Sequence, residues 1–171
     1  MSDIRAVADA FTKKDNLDAK KIQYLCYYYK GWSFAEYDAD YLYDYDFFVT
    51  EYGPLNQVLL DEYPDVTEDI KYTTSKKNLK LNNLERELVE NVWATYGDWT
   101  TDMLKEHIKN EPPYLLARVG NMYEDSDKDE NIRAEHMDIY FNSLAKGSHL
   151  SVEDYYPPYD RENINFGRKT R

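Results

Sequence analysis

A stripe of mostly apolar side chains, Ile22, Leu25, Cys26, Tyr29, Trp32 and Ser33, recurs at i, i+3, i+4 and i+7. That spacing puts residues on one face of an α-helix and predicts a helix with that face turned to the core. Asp18 is a suitable N-cap, Ala19 to Lys21 form the first turn, and the helix should stop near Tyr37. After an acidic, tyrosine-rich connection, the run from Phe47 closes on Tyr52-Gly53-Pro54-Leu55. Gly53 can take backbone angles that a side chain forbids, and Pro54 has a φ suited to a first helical turn, so a helix is predicted to start at Pro54.

The rest of the chain is arranged around this stretch. Ser2 is expected to cap a short helix carrying Ile4, Val7, Ala8 and Phe11. Tyr41, Tyr43, Tyr45 and Phe47 alternate with Leu42, Asp44, Asp46 and Phe48, a period of two that predicts a short strand, partnered in a small hairpin by residues 66–74. Leu55, Val58, Leu59 and Tyr63 return to helical spacing until Pro64, and Lys71 to Lys80 reads as a loop with four lysines. Asn82 followed by Glu85 is a capping box ahead of Leu84, Leu88, Val92 and Tyr96, with Gly97 as the stop. A further helix is expected after Thr100, with Trp99 and Leu104 as a hydrophobic staple, ending before a turn at Pro112-Pro113 that holds Tyr114, Leu115 and Leu116. Acidic residues Glu124, Asp125, Asp127, Asp129 and Glu130 precede a last helix with Ile132, Met137, Ile139, Tyr140, Phe141 and Leu144 on its apolar face. The fold class is therefore mainly α: a compact single-domain helical bundle with at most a small β-hairpin or short strands around residues 41–50 and 66–74. One domain is expected over 1–147, followed by an extended tail at 148–171 whose end carries Arg168, Lys169 and Arg171.

With 171 residues, a single domain buries about two-thirds of its unfolded surface. No apolar run is long enough for a membrane span and no charged-then-apolar leader opens the chain, so a cytoplasmic protein with no membrane association is expected. The one cysteine, Cys26, sits on the apolar stripe and reads as a small buried hydrophobe. His107, His136 and His149 lack a second His or Cys at metal-ligand spacing, which argues against metal ions and cofactors. Glu106 adjoins His107, but consecutive helical residues diverge by about 100° and do not face each other, so His107 reads as structural. The run Asp38-x-Asp40 with Asp44-x-Asp46 lacks the glycine that turns a calcium loop. Phosphate-loop and nucleophile-elbow patterns are absent too, and an enzyme is not expected.

Charge says more. The net charge is −12, and from residue 31 to 70 there is no Lys, Arg or His, only carboxylates: Glu36, Asp38, Asp40, Asp44, Asp46, Glu51, Asp61, Glu62, Asp65, Glu68 and Asp69. Such a face repels phosphate, so direct nucleic-acid binding is not expected. A solvated acidic face accounts for it as well as a docking surface for a basic partner does. The interleaved Tyr37, Tyr41, Tyr43 and Tyr45 favour docking, because tyrosine is enriched at interfaces. The expected contacts are Tyr28, Tyr37, Asp38, Asp40, Tyr41, Asp44 and Glu51.

Three stretches together resemble the Panacea domain, the antitoxin domain also described as SocA-like and GepA-like. The first is Lys21-Ile22-Gln23 with Leu25, Tyr27, Tyr28 and Trp32; the second is Phe48 with Tyr52-Gly53-Pro54-Leu55; the third is Leu104, His107, Pro113 and Tyr114, where the family usually has Trp at the position of Tyr114. The resemblance spans roughly residues 3 to 142. It implies a phage-associated or toxin–antitoxin protein that neutralises a cognate small toxin, or another basic protein, by direct binding. Homo-oligomerisation stays open. Two other readings remain at this point: a phage-encoded acidic mimic of nucleic acid that inhibits a host nuclease or defence protein, and a structural or regulatory protein whose charge only keeps it soluble.

Overall fold

The computed structural model describes residues 1–73, 79–123 and 131–155. In chain order these form α1 (Ile4–Thr12), β1 (Leu17–Asp18), α2 (Ala19–Tyr37), β2 (Phe48–Thr50), β3 (Gly53–Leu55), α3 (Gln57–Glu62), β4 (Lys71–Tyr72), α4 (Asn83–Tyr96), α5 (Thr101–Lys109), α6 (Pro112–Tyr123), α7 (Ala134–Ala145) and a 3-10 turn at Val152–Tyr155. The architecture is mainly α, as the periodicity predicts. The only sheets among the described residues are two antiparallel pairs, β1 with β4 and β2 with β3. No helix among them is long and apolar enough to cross a membrane.

α2 is the axis of the molecule. α1, α3, α4, α5, α7 and β3 all pack on it. Burial therefore goes beyond the predicted single stripe: Tyr24, Tyr27 and Tyr28 are as buried as Ile22, Leu25, Cys26 and Tyr29. A helix ringed by neighbours is covered on most sides, which one-face periodicity does not reveal. Its two ends follow the sequence. The Asp18 side chain accepts from the Lys21 amide at the N-cap, and Asp38 ends the helix with φ 51. α7 comes so close to Gly31 that a Cβ there would lie 2.2 Å from the Phe141 ring.

Several local expectations are corrected. Asp3, not Ser2, caps α1; Ser2 instead meets the Tyr29 hydroxyl at 2.7 Å and donates its amide to the Tyr41 carbonyl at 2.7 Å. Residues 41–47 are not strand, and β2 begins only at Phe48 and pairs with β3. Leu42 and Phe47 are buried while Tyr43 and Asp44 are exposed, so alternation here reflects a loop pinned at two points. β4 pairs with β1 rather than with the aromatic run. Pro54 lies in β3, and the helix that follows starts at Gln57 with Asn56 as its cap. Pro112 and Pro113 open α6 instead of breaking the chain; first-turn amides have no intrahelical acceptor, so prolines there lose nothing.

Other expectations stand. α4 carries the full Asn82/Glu85 capping box, and Thr100 caps α5. Of the tail expected from residue 148, the described part ends in the 3-10 turn at Val152–Tyr155, where Tyr155 sets its ring 5.4 Å from that of His136. Lys76 and Lys77, the acidic run Glu124 to Glu130, and the tail from Tyr156 with Arg168, Lys169 and Arg171 lie outside the described residues.

Candidate functional site

The three resemblance-bearing stretches converge on α2. Gln23 grips the backbone of Asn56 in both directions: its Oε1 accepts from the Asn56 amide at 2.8 Å and its Nε2 donates to the Asn56 carbonyl at 3.1 Å. The Tyr24 hydroxyl donates to the Tyr52 carbonyl. Its ring covers Gly53, whose φ of +96 and whose 2.8 Å clearance from a hypothetical Cβ leave room for glycine alone. Lys21 donates to the carbonyls of Gly97 and Trp99, both at 2.8 Å, so a cation on α2 closes the open C-terminal end of α4 and fixes Trp99. Burial holds the Lys21 ammonium below its usual range. Tyr114 donates its hydroxyl to the Thr50 carbonyl at 2.6 Å.

The third stretch meets the first at a cluster that composition did not reveal. Glu111, at the junction of α5 and α6, is 4 % exposed. Its Oε2 accepts from the hydroxyls of Tyr28 and Tyr140, each at 3.2 Å, and lies 3.3 Å from Nδ1 of His107. Tyr28 in turn stacks on Tyr96 with ring centroids 3.9 Å apart, and the Tyr96 hydroxyl accepts from Trp32 Nε1 at 2.9 Å. Burial pushes the Glu111 carboxyl above its usual range, partly offset by His107 and the two phenols. The bond to Glu111 raises His107 against its own partial burial. Burial, then the nearby carboxylate, drives the Tyr28 phenol well above its usual range. The pair His107–Glu111 thus holds a proton more firmly than either group would in water.

Above this cluster lies a cleft of about 560 Å3, walled by Trp99, Met103, Glu106, His107, Asn110 and Tyr140 and floored by Glu111. The Trp99 and His107 rings meet edge-on, 4.8 Å apart. A histidine braced by a carboxylate can move a proton, yet among the described residues the side-chain hydrogen bonds of His107 reach only Tyr28 and Glu111. No group of three or more potential metal ligands occurs among the described residues.

The residues expected to form the docking surface do not share one fate. Tyr28 is 0 % exposed and is a member of the Glu111 cluster, so it is not a surface contact. Asp40 is 10 % exposed at its side chain and pairs with buried Lys30 at 2.8 Å; Lys30 also donates to the Leu42 carbonyl at 2.9 Å. Tyr37 and Tyr41 stack with centroids 5.1 Å apart, both half-buried. Asp38, Asp44 and Glu51 are exposed. So is Tyr43, at 70 %. Elsewhere on the acidic stretch, Glu36 accepts from Asn91 and Glu62 from Arg5. Glu111 escaped the sequence reading, which takes Tyr140 only as part of the apolar face of the last helix. His107 and Glu111 stand at i and i+4 on consecutive turns, a usable signal hidden by the expectation that Pro112 ends all helical order. Tyr140 gives no local signal, because only the packing of α7 on α2 brings it near.

No family model, curated protein or solved structure matches this chain.

Proposed function

We propose that this chain is a non-enzymatic protein-binding inhibitor of the Panacea-like antitoxin kind, acting in the cytoplasm on a small basic toxin. The observation that carries the reading is the convergence of the three resemblance-bearing stretches, in which Gln23 holds Asn56, Tyr24 covers Gly53 and Tyr28 meets His107 through Glu111. Residues scattered along the chain are thereby tied into one scaffold, which supports treating the resemblance as more than composition.

The docking surface on this reading is the loop that leaves α2 with the adjoining β2–β3 turn, presenting Asp38, Tyr43 and Asp44 on the first and Glu51 on the second, with the Tyr37–Tyr41 stack as its base. The buried Lys30–Asp40 pair and the bond from the Ser2 amide to the Tyr41 carbonyl pin that loop to the body, so its exposed carboxylates are presented with little ordering left to do on binding. A row of carboxylates steers a basic partner and makes association salt-sensitive.

The test is co-expression with the neighbouring reading frame, read as rescue from toxicity and as co-purification. Combined reversal of Asp38, Asp44 and Glu51 to lysine should abolish rescue while leaving the protein folded, with the thermal midpoint lowered by a few degrees through the left-handed position of Asp38. Full rescue by that triple variant, or recovery of no partner, overturns the proposal.

A further inference from the structure

Glu111, which lines the α5 cleft, carries an oxygen that the fold does not use. Glu111 Oε2 is saturated by two phenols and His107, whereas Oε1 is buried with no hydrogen-bond partner among the described residues. A buried carboxylate oxygen without a donor is costly to keep. The cleft lining offers it none: the Asn110 amide is turned to the Glu106 carbonyl at 2.7 Å. Glu106 adds a second carboxylate at the rim, and the lining contains no lysine or arginine. The walls are the indole of Trp99, the phenol ring of Tyr140 and the thioether of Met103, suited to a flat or aliphatic body.

A donor-rich planar cation meets all of these demands at once, because a guanidinium stacks on aromatic faces and offers several N–H groups to carboxylates in a fixed fork. We propose that this cleft binds an arginine side chain presented by another polypeptide, its guanidinium on Glu111, its plane against Trp99 and its approach steered by Glu106. His107 is the cover. Its side chain is 51 % exposed and contacts Oε2 of the carboxylate directly, so turning it aside frees that oxygen for an incoming donor. The inference does not depend on the toxin-neutralising reading, since the cleft lies apart from the docking loop in sequence and can be probed with no toxin present.

The groups facing His107 are Tyr28 of α2, Glu111 ahead of α6 and Tyr140 of α7, together with the Trp99 ring, while Glu106 of its own helix lines the same cleft. Protonated His107 is held on Glu111 and competes with an incoming cation, so arginine should bind more tightly as pH rises and His107 becomes neutral.

The full-length protein would be titrated with N-acetyl-arginine amide while the Trp99 indole resonance is followed by NMR. N-acetyl-lysine amide and N-acetyl-norleucine amide serve as controls. The expected result is a saturable shift with the arginine probe, at least about tenfold tighter than with norleucine, tighter at about pH 8.5 than at about pH 6, and lost in Glu111→Gln. Glu106→Lys, a change at the exposed rim that leaves the core untouched, should weaken it severalfold and keeps the test decisive if Glu111→Gln fails to fold. Absence of a saturable shift overturns the proposal. Equal binding of norleucine or lysine does so too, as does unchanged affinity in Glu106→Lys.

Discussion

Gln23 and Asn56 clasp each other through two hydrogen bonds, the Asn56 amide donating to Oε1 at 2.8 Å and Nε2 donating to the Asn56 carbonyl at 3.1 Å. Both residues are buried. A polar side chain on the central helix thus takes the place of a neighbouring strand for the backbone that leaves β3. Gln23→Leu removes that substitute and leaves the buried Asn56 N–H unpaired, while the Asn56 carbonyl keeps the Leu60 amide at 3.0 Å, at a cost of about 1–3 kcal/mol. The melting temperature should fall by about 3–9 °C on that basis, as read by calorimetry. An unchanged midpoint would mean that the Asn56 backbone finds water instead.

Gly31→Ala tests the close approach of α7. A Cβ would meet the Phe141 ring at 2.2 Å, so the ring must move, costing about 1–3 kcal/mol through overpacking. Phe141→Leu costs stability by itself, yet in its background the Gly31→Ala penalty should shrink. A double-mutant cycle in urea measures that coupling; strictly additive losses would show that the two residues do not press on each other.

The Glu111–His107 pair sets a pH dependence whose sign follows from the direction of both shifts. Each group is raised in the folded state, Glu111 from 4.5 and His107 from 6.5. The folded protein therefore binds protons more tightly than the unfolded chain does, and stability contributed by the pair is lost as pH rises through the folded values. The Glu111 part begins to fall above 4.5 and the His107 part above 6.5; the half-exposed imidazole contributes the smaller share. Denaturation midpoints of the native protein and Glu111→Gln, compared across this range, should show the native protein losing ground to the variant as pH increases. Parallel profiles would remove the pair as the titrating unit.

Lys30 and Asp40 form a pair with 3 % and 10 % side-chain exposure. Lys30→Met leaves a nearly buried carboxylate without its partner, and about 3–5 kcal/mol should be lost. The double change Lys30→Met with Asp40→Asn should recover part of that loss, because the isolated charge is gone. Asp44→Lys, at an exposed position, should stay within about 0.5 kcal/mol of the native stability. Urea denaturation of the four proteins separates these outcomes, and a large loss at Asp44 would show that the loop's exposed carboxylates hold the fold.

Helix existence was legible in the sequence wherever caps and periodicity agreed: Asp18 for α2, Asn82 with Glu85 for α4, Thr100 for α5. Local rules failed where a residue's task is set by a distant partner. Ser2 has the chemistry of a cap, but the Tyr29 hydroxyl and the Tyr41 carbonyl claim it. Pro54 suits a helix start, but β2 pairs with it first. Tyr28 has the chemistry of an interface residue and Asp40 that of a surface carboxylate, yet Glu111 and Lys30 draw them inward.

What the amino-acid order by itself determined is the set of helices apart from α6, the central place of the stretch from Ile22 to Trp32, and the block of acidic residues from 31 to 70 with no basic residue inside it. These follow from interactions a few residues apart, whose geometry a helix or a cap fixes without reference to the rest of the molecule. Only the tertiary structure decided which tyrosines and carboxylates are surface and which are core. The Glu111 cluster draws on Tyr28, His107 and Tyr140, and the separation from Tyr28 to Glu111 alone is 83 residues. A buried charge is tolerable only where donors converge on it, and that convergence is a property of packed helices, which no local pattern encodes.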